Sequence, residues 1–74
     1  MKIELLQQKI GKRIRFLRES KGITQQDFAA ICNFEKANLS RIEAGRTNPT
    51  ISTLYKISQA LEITISELVD AEKE

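Results

Sequence analysis

Apolar residues in this chain recur at helical intervals, in short runs separated by turn-forming residues, and never in the strict alternation of a strand. Leu6, Ile10, Ile14 and Leu17 stand at i, i+4, i+8 and i+11, with Lys9, Lys12, Arg13 and Arg15 between them, which predicts an amphipathic helix over residues 3–20. Gly22, just after Arg18 and Lys21, marks its C-terminal end. Thr24 is placed to cap a second helix, whose first turn carries Asp27 and whose inner stripe is Phe28, Ala29 and Cys32. Asn33 tolerates left-handed backbone and closes that helix. A third helix over residues 35–44 is expected to bury Leu39 and Ile42 and to end at Gly45. The segment "RTNPT" then reads as an exposed loop, with Thr50 capping a fourth helix over 51–61 that turns Ile51, Leu54, Ile57 and Leu61 inward. Thr64 and Glu67 have the spacing of a capping box for a short fifth helix with Leu68 on its inner side.

The second and third helices are joined by so few residues that they must cross steeply, the geometry of a helix-turn-helix over about 24–44. The expected fold class is therefore all-α, with five helices in one domain spanning residues 1–74. The stretch "FEKANLSRIEAG", residues 34–45, is unusual for a purely structural helix. It offers Glu35, Lys36, Ala37, Asn38 and Arg41 outward while Leu39 and Ile42 anchor the inside, so the outer face is expected to meet another molecule.

Composition narrows the choice of that molecule. Charged residues make up 30% of the chain and hydrophobic ones 41%, enough for a small core under a well-solvated surface. The net charge of +2 says little until it is divided along the chain. Residues 1–46 hold ten Lys/Arg against five Asp/Glu, while residues 47–74 hold two against five, a polarity suited to one face lying on a polyanion. With one cysteine, Cys32, and no histidine, neither an intramolecular disulfide nor a Cys/His zinc site is expected, and Cys32 reads as a packing residue. The chain also has no phosphate-cradling glycine loop, so neither catalysis nor a cofactor is expected. No stretch approaches the ~20 apolar residues of a membrane span, and the expected location is the cytoplasm.

Beyond these patterns, the sequence resembles the Cro/cI-type helix-turn-helix family of phage repressors and bacterial regulators, from about residue 9 to residue 69. "RESKGITQQDFA" resembles the family's Arg, Gly, apolar, Thr/Ser, Gln, apolar, Ala pattern. "LSRIEAGRTNPT" resembles its apolar, Ser, apolar, Glu, Gly, Asn, Pro, Ser/Thr pattern, and "LYKISQALEITISEL" its last two helices. The resemblance implies a compact, phage-repressor-like domain that docks its third helix in the major groove of double-stranded DNA, usually as a two-fold dimer on a near-palindromic site. Base reading would then fall to Glu35, Lys36, Ala37, Asn38 and Arg41, and phosphate contacts to Gln25, Ser40, Arg46, Thr47 and Asn48. Glu35 departs from the Ser or Thr more usual at that cap. Ile31 likewise stands where the family usually has a polar residue.

In the family the positions of Arg18 and Glu43 form a structural ion pair that braces the motif, and the same is expected here. Lys9, Lys12, Arg13 and Arg15 are expected to be mostly solvated, adding long-range attraction. Tyr55, Ile65 and Val69 exceed what so small a core can hold and are expected at a homodimer interface, with the acidic C-terminus facing away from DNA. A competing reading is an antitoxin-like or other protein-interaction module whose DNA binding is secondary. Restriction-modification controllers, phage repressors and antitoxins share this plan, and the sequence does not separate them.

Overall fold

The structure is a computed structural model that describes residues 2–70. Five helices follow one another without strands among the described residues: α1 (Ile3–Ser20), α2 (Gln25–Cys32), α3 (Lys36–Glu43), α4 (Ile51–Ala60) and α5 (Ile65–Leu68). α1 packs on α3 and α5, α2 on α3 and α4, and α4 on α5. Their inner faces meet in a core where Ile14, Phe28, Leu39, Ile57, Leu61 and Leu68 are fully buried, joined by Ala29, Cys32, Ile42 and Leu54. Every element thus contributes large apolar groups to one shared interior, the main source of stability in so small a chain.

Polar side chains fix where the helices begin. Thr24, Thr50 and Thr64 each accept from the backbone N–H three residues on, and Glu67 answers Thr64 by accepting from its N–H, completing a capping box. Asn33 adopts the left-handed conformation, φ 60° and ψ 42°, and ends α2. The Phe34 N–H then donates back to the Ala29 carbonyl at 2.8 Å, so the chain turns and enters α3 after three residues.

The contact between α1 and α3 is a close one because Gly11 lies at it. A Cβ at Gly11 would stand 2.5 Å from the Ile42 carbonyl oxygen and 2.6 Å from that of Glu43. Gly45, at φ 73°, reverses the chain after α3 against the backbone of Gln8. The C-terminal end of α3 is therefore seated directly on the middle of α1.

Two expectations need correction. Arg13 is not a solvated cation: it is 6% exposed, and its Nε donates to the Glu67 carbonyl oxygen at 2.6 Å, tying α1 to α5. Ile51 is not a core residue: it is 73% exposed. It sits at the first position of α4, beyond the end of the core, and rims an apolar groove of about 190 Å³ with Ile3, Leu6 and Pro49. Phe16 and Ile31 are also exposed, Phe16 because it falls off the Leu6–Ile10–Ile14–Leu17 stripe.

Candidate nucleic-acid interface

At 100° per residue, Lys36, Ala37, Ser40 and Arg41 fall within one arc of α3, and Leu39, Ile42 and Glu43 within the opposite one. Burial follows this division. The first four are exposed, the last three buried, and Asn38 is half-buried on the flank between them. The helix is held by its apolar side and by Glu43, leaving its cationic and amide-bearing side open.

Glu43 is the centre of a buried clasp. Arg18 grips it with two hydrogen bonds, Nε to Oε2 at 2.7 Å and Nη2 to Oε1 at 3.1 Å, and sends Nη1 to the Ile23 carbonyl at 2.6 Å. Gln25 Nε2 donates to the same Oε1 at 2.9 Å. One carboxylate thereby joins α1, the start of α2 and the end of α3. A negative charge at a helix C-terminus is unfavourable on its own. Here the fork of Arg18 compensates it, and the hydrogen bond to Glu43 drives the guanidinium pKa upward against the opposing effect of burial. Among the described residues, no buried side-chain nitrogen or oxygen is left without a partner.

The same arrangement places Gln25 differently from a freely exposed contact. Its amide is half-buried and shared with Glu43, while the start of α2 borders a polar cleft of about 510 Å³. Arg15, Arg18, Thr24, Gln26 and Lys36 line the rest of that cleft. Gln26, unremarked in the sequence, lies exposed beside Gln25; its signal was the doubled Gln directly after a capping Thr. Following α3, Arg46 and Asn48 are exposed and Thr47 half-buried, and the Arg46 N–H donates to the Arg41 carbonyl at 3.0 Å. The loop is thus fastened beside the last turn of the open helix. Exposed cations and amides from α2, α3 and the loop thus surround the open side of α3.

Glu35 occupies the cap position of α3 with extended backbone, φ −75° and ψ 144°, and is exposed. Its side chain makes no capping hydrogen bond. The remaining candidates lie elsewhere. Tyr55 is exposed on α4, with its hydroxyl accepting from Gln59 Nε2 at 2.8 Å, and Ile65 and Val69 are half-buried at α5. Val69 also packs against the core. Cys32 is buried, and loss of hydration pushes its thiol pKa up, partly offset by the attraction of Lys56. Among the described residues, no cluster of three or more His, Cys, Asp or Glu could hold a metal ion, and no helix is long and apolar enough to cross a membrane.

Two short helices joined by a tight left-handed turn, the second held by a buried clasp with its polar side open, define a helix-turn-helix protein. The model of the helix-turn-helix family matches residues 14–68, and the chain belongs to that family. It is 43% identical over 60 residues to the uncharacterized HTH-type transcriptional regulator y4dJ of Sinorhizobium fredii, covering 81% of this chain and 78% of that one. It is 40% identical over 68 residues to the control protein C.MunI of a Mycoplasma species, covering 89% and 92%. Among solved structures, the master regulator for biofilm formation SinR in complex with DNA superimposes with a TM-score of 0.77 at 37% identity, over 82% of this chain and 98% of that one. Several other curated relatives are longer, and the chain spans 42% to 48% of their length.

Proposed function

We infer that this protein is a transcriptional regulator that binds double-stranded DNA in a sequence-specific manner, with α3 in the major groove. The observation that carries this reading is the division of α3 into a clasped inner side and an open outer side bearing Lys36, Ala37 and Arg41, with Asn38 on its flank. SinR, which is similar over nearly all of its solved chain, was crystallised with DNA.

In this reading Lys36 and Arg41 donate to guanine O6 and N7, Asn38 pairs with adenine, and Ala37 meets a thymine methyl. Arg46, Thr47, Asn48 and Ser40 hold phosphates and set the register. Gln25 keeps one amide hydrogen for a phosphate while the other stays on Glu43, so backbone contact and the clasp share one side chain.

The regulator acts as a homodimer through Tyr55, Ile65 and Val69. Each copy carries a single α3 of eight residues, whereas the half-sites of a two-fold site lie roughly 34 Å apart. Two copies are needed to read two half-sites.

Selection of bound duplexes from a random pool at fixed physiological salt tests the proposal. A two-fold-symmetric motif is expected. Recovery of no motif from a folded protein would refute base reading and favour a partner-protein role.

A further inference from the structure

The outer face of α1 carries a second stripe that the core does not use. Leu5, Lys9, Lys12 and Phe16 stand at i, i+4, i+7 and i+11, within one arc of about 60°. Leu5 is 46% exposed and Phe16 57%. They lie about 16 Å apart along the helix axis, with both lysines between them. Arg15 pairs with Glu19, Arg18 with Glu43 and Lys21 with Glu62, whereas the ammonium groups of Lys9 and Lys12 have no hydrogen-bond or ion-pair partner among the described residues. α1 meets α3 at Gly11 and is tied to α5 through Arg13. Gly11 stands about 130° round the helix from the middle of the stripe, so this face points away from α3 and stays open when α3 is occupied.

We propose that the outer face of α1 is a docking surface for an acidic amphipathic helix of a second protein, engaged while α3 remains on DNA. Its apolar anchors cover Leu5 and Phe16, and its carboxylates meet Lys9 and Lys12. A lone exposed apolar side chain is ordinary, but two on one helix face with uncompensated cations between them define a partner. A matching pair of apolar residues three turns apart on the partner helix removes both anchors from water. The lysines set its charge: carboxylates between its anchors gain ion pairs and are steered in, and a basic helix is rejected. A second copy presenting the same face is excluded on the same ground, since lysine would meet lysine. An anionic lipid surface fits less well, because charge holds the two apolar residues apart where a lipid-bound helix buries a continuous apolar face. Four side chains suit a transient partner, not a permanent one. Docking in company with DNA rests on the reading above; docking on the free chain does not.

The test titrates the full chain, free and with the selected duplex bound, with a stapled helical peptide of about 15 residues. The peptide carries two leucines eleven positions apart and glutamates between them. Backbone amide shifts should move along residues 5–16 and not along α3 or α5. Leu5→Ser and Phe16→Ser should each weaken the peptide about tenfold while unfolding curves and duplex affinity stay unchanged. A Lys9→Glu, Lys12→Glu double variant should lose this peptide and accept its lysine-bearing counterpart. No binding, shifts elsewhere, or affinity unchanged in the variants would overturn the surface. Equal binding of the lysine-bearing peptide by the wild type would do the same, as would binding of phosphatidylglycerol vesicles in place of the peptide. Displacement of the peptide by the duplex would overturn docking on DNA. Failure to select any duplex refutes the DNA-binding reading instead, and the titration of the free chain then decides this proposal by itself.

Discussion

At the clasp, a single carboxylate determines how firmly α3 is held. Replacing Glu43 by Ala leaves the buried Arg18 with only the distant, exposed carboxylate of Glu19 at 3.8 Å and Gln25 without its acceptor. Removing one partner of a buried pair typically costs ~3–5 kcal/mol, and denaturant unfolding should show a loss of this order. On the open side the outcomes differ by role. Asn38→Ala and Arg41→Ala should each relax discrimination at particular base pairs by ~1–3 kcal/mol. Arg46→Ala should weaken all duplexes alike and reduce the salt slope by about 1, and titrations at several salt concentrations separate the two behaviours. Cys32 gives a probe of the interior. Because burial raises its pKa in the folded state, its contribution to stability is complete below the ordinary thiol value of 9.0 and falls as pH rises beyond it. A thiol reagent at neutral pH should therefore modify Cys32 only as fast as the core opens.

Among the helices, the local signals were the dependable ones. Thr24, Asn33, Thr50 and the Thr64–Glu67 pair act through neighbours two or three residues away, so they could be read from spacing and they mark the ends of α2, α4 and α5. Arg13 could not be read in this way. It stands in a row of similar cations, and the carbonyl it binds is 54 positions distant, a relation that only the packed fold creates. Ile51 misled for the opposite reason: its spacing continues the apolar stripe of α4, but the core stops before the helix does. The open side of α3 was legible because its polar residues had no partner within the pattern. The engagement of Gln25 with Glu43 was hidden, since it spans two helices. Gly11 inside α1, passed over in the sequence reading, marks a close approach of two helices. Gly11→Ala would push a methyl group against two backbone carbonyls of α3. A loss of ~1–3 kcal/mol, the usual consequence of overpacking, is expected in unfolding measurements, together with weaker DNA binding by the fraction that stays folded.

Over the whole molecule, residues 1–46 carry a net positive charge and residues 47–74 a net negative one, an imbalance that in the proposed reading should orient the protein on DNA before any base is touched. Tyr55→Ala should shift sedimentation toward the monomer and make DNA binding steeper in protein concentration, while thermal unfolding of the monomer changes little. The bond from Arg13 to the Glu67 carbonyl bears on how the chain is made as well as on how it stands. During synthesis the first helix emerges from the ribosome long before the residue that will receive its guanidinium. Until α5 follows, that guanidinium lacks the Glu67 carbonyl, and α3 rests on a scaffold still open at one end. DNA-binding competence should therefore arrive late and abruptly, once α5 has been made and has docked.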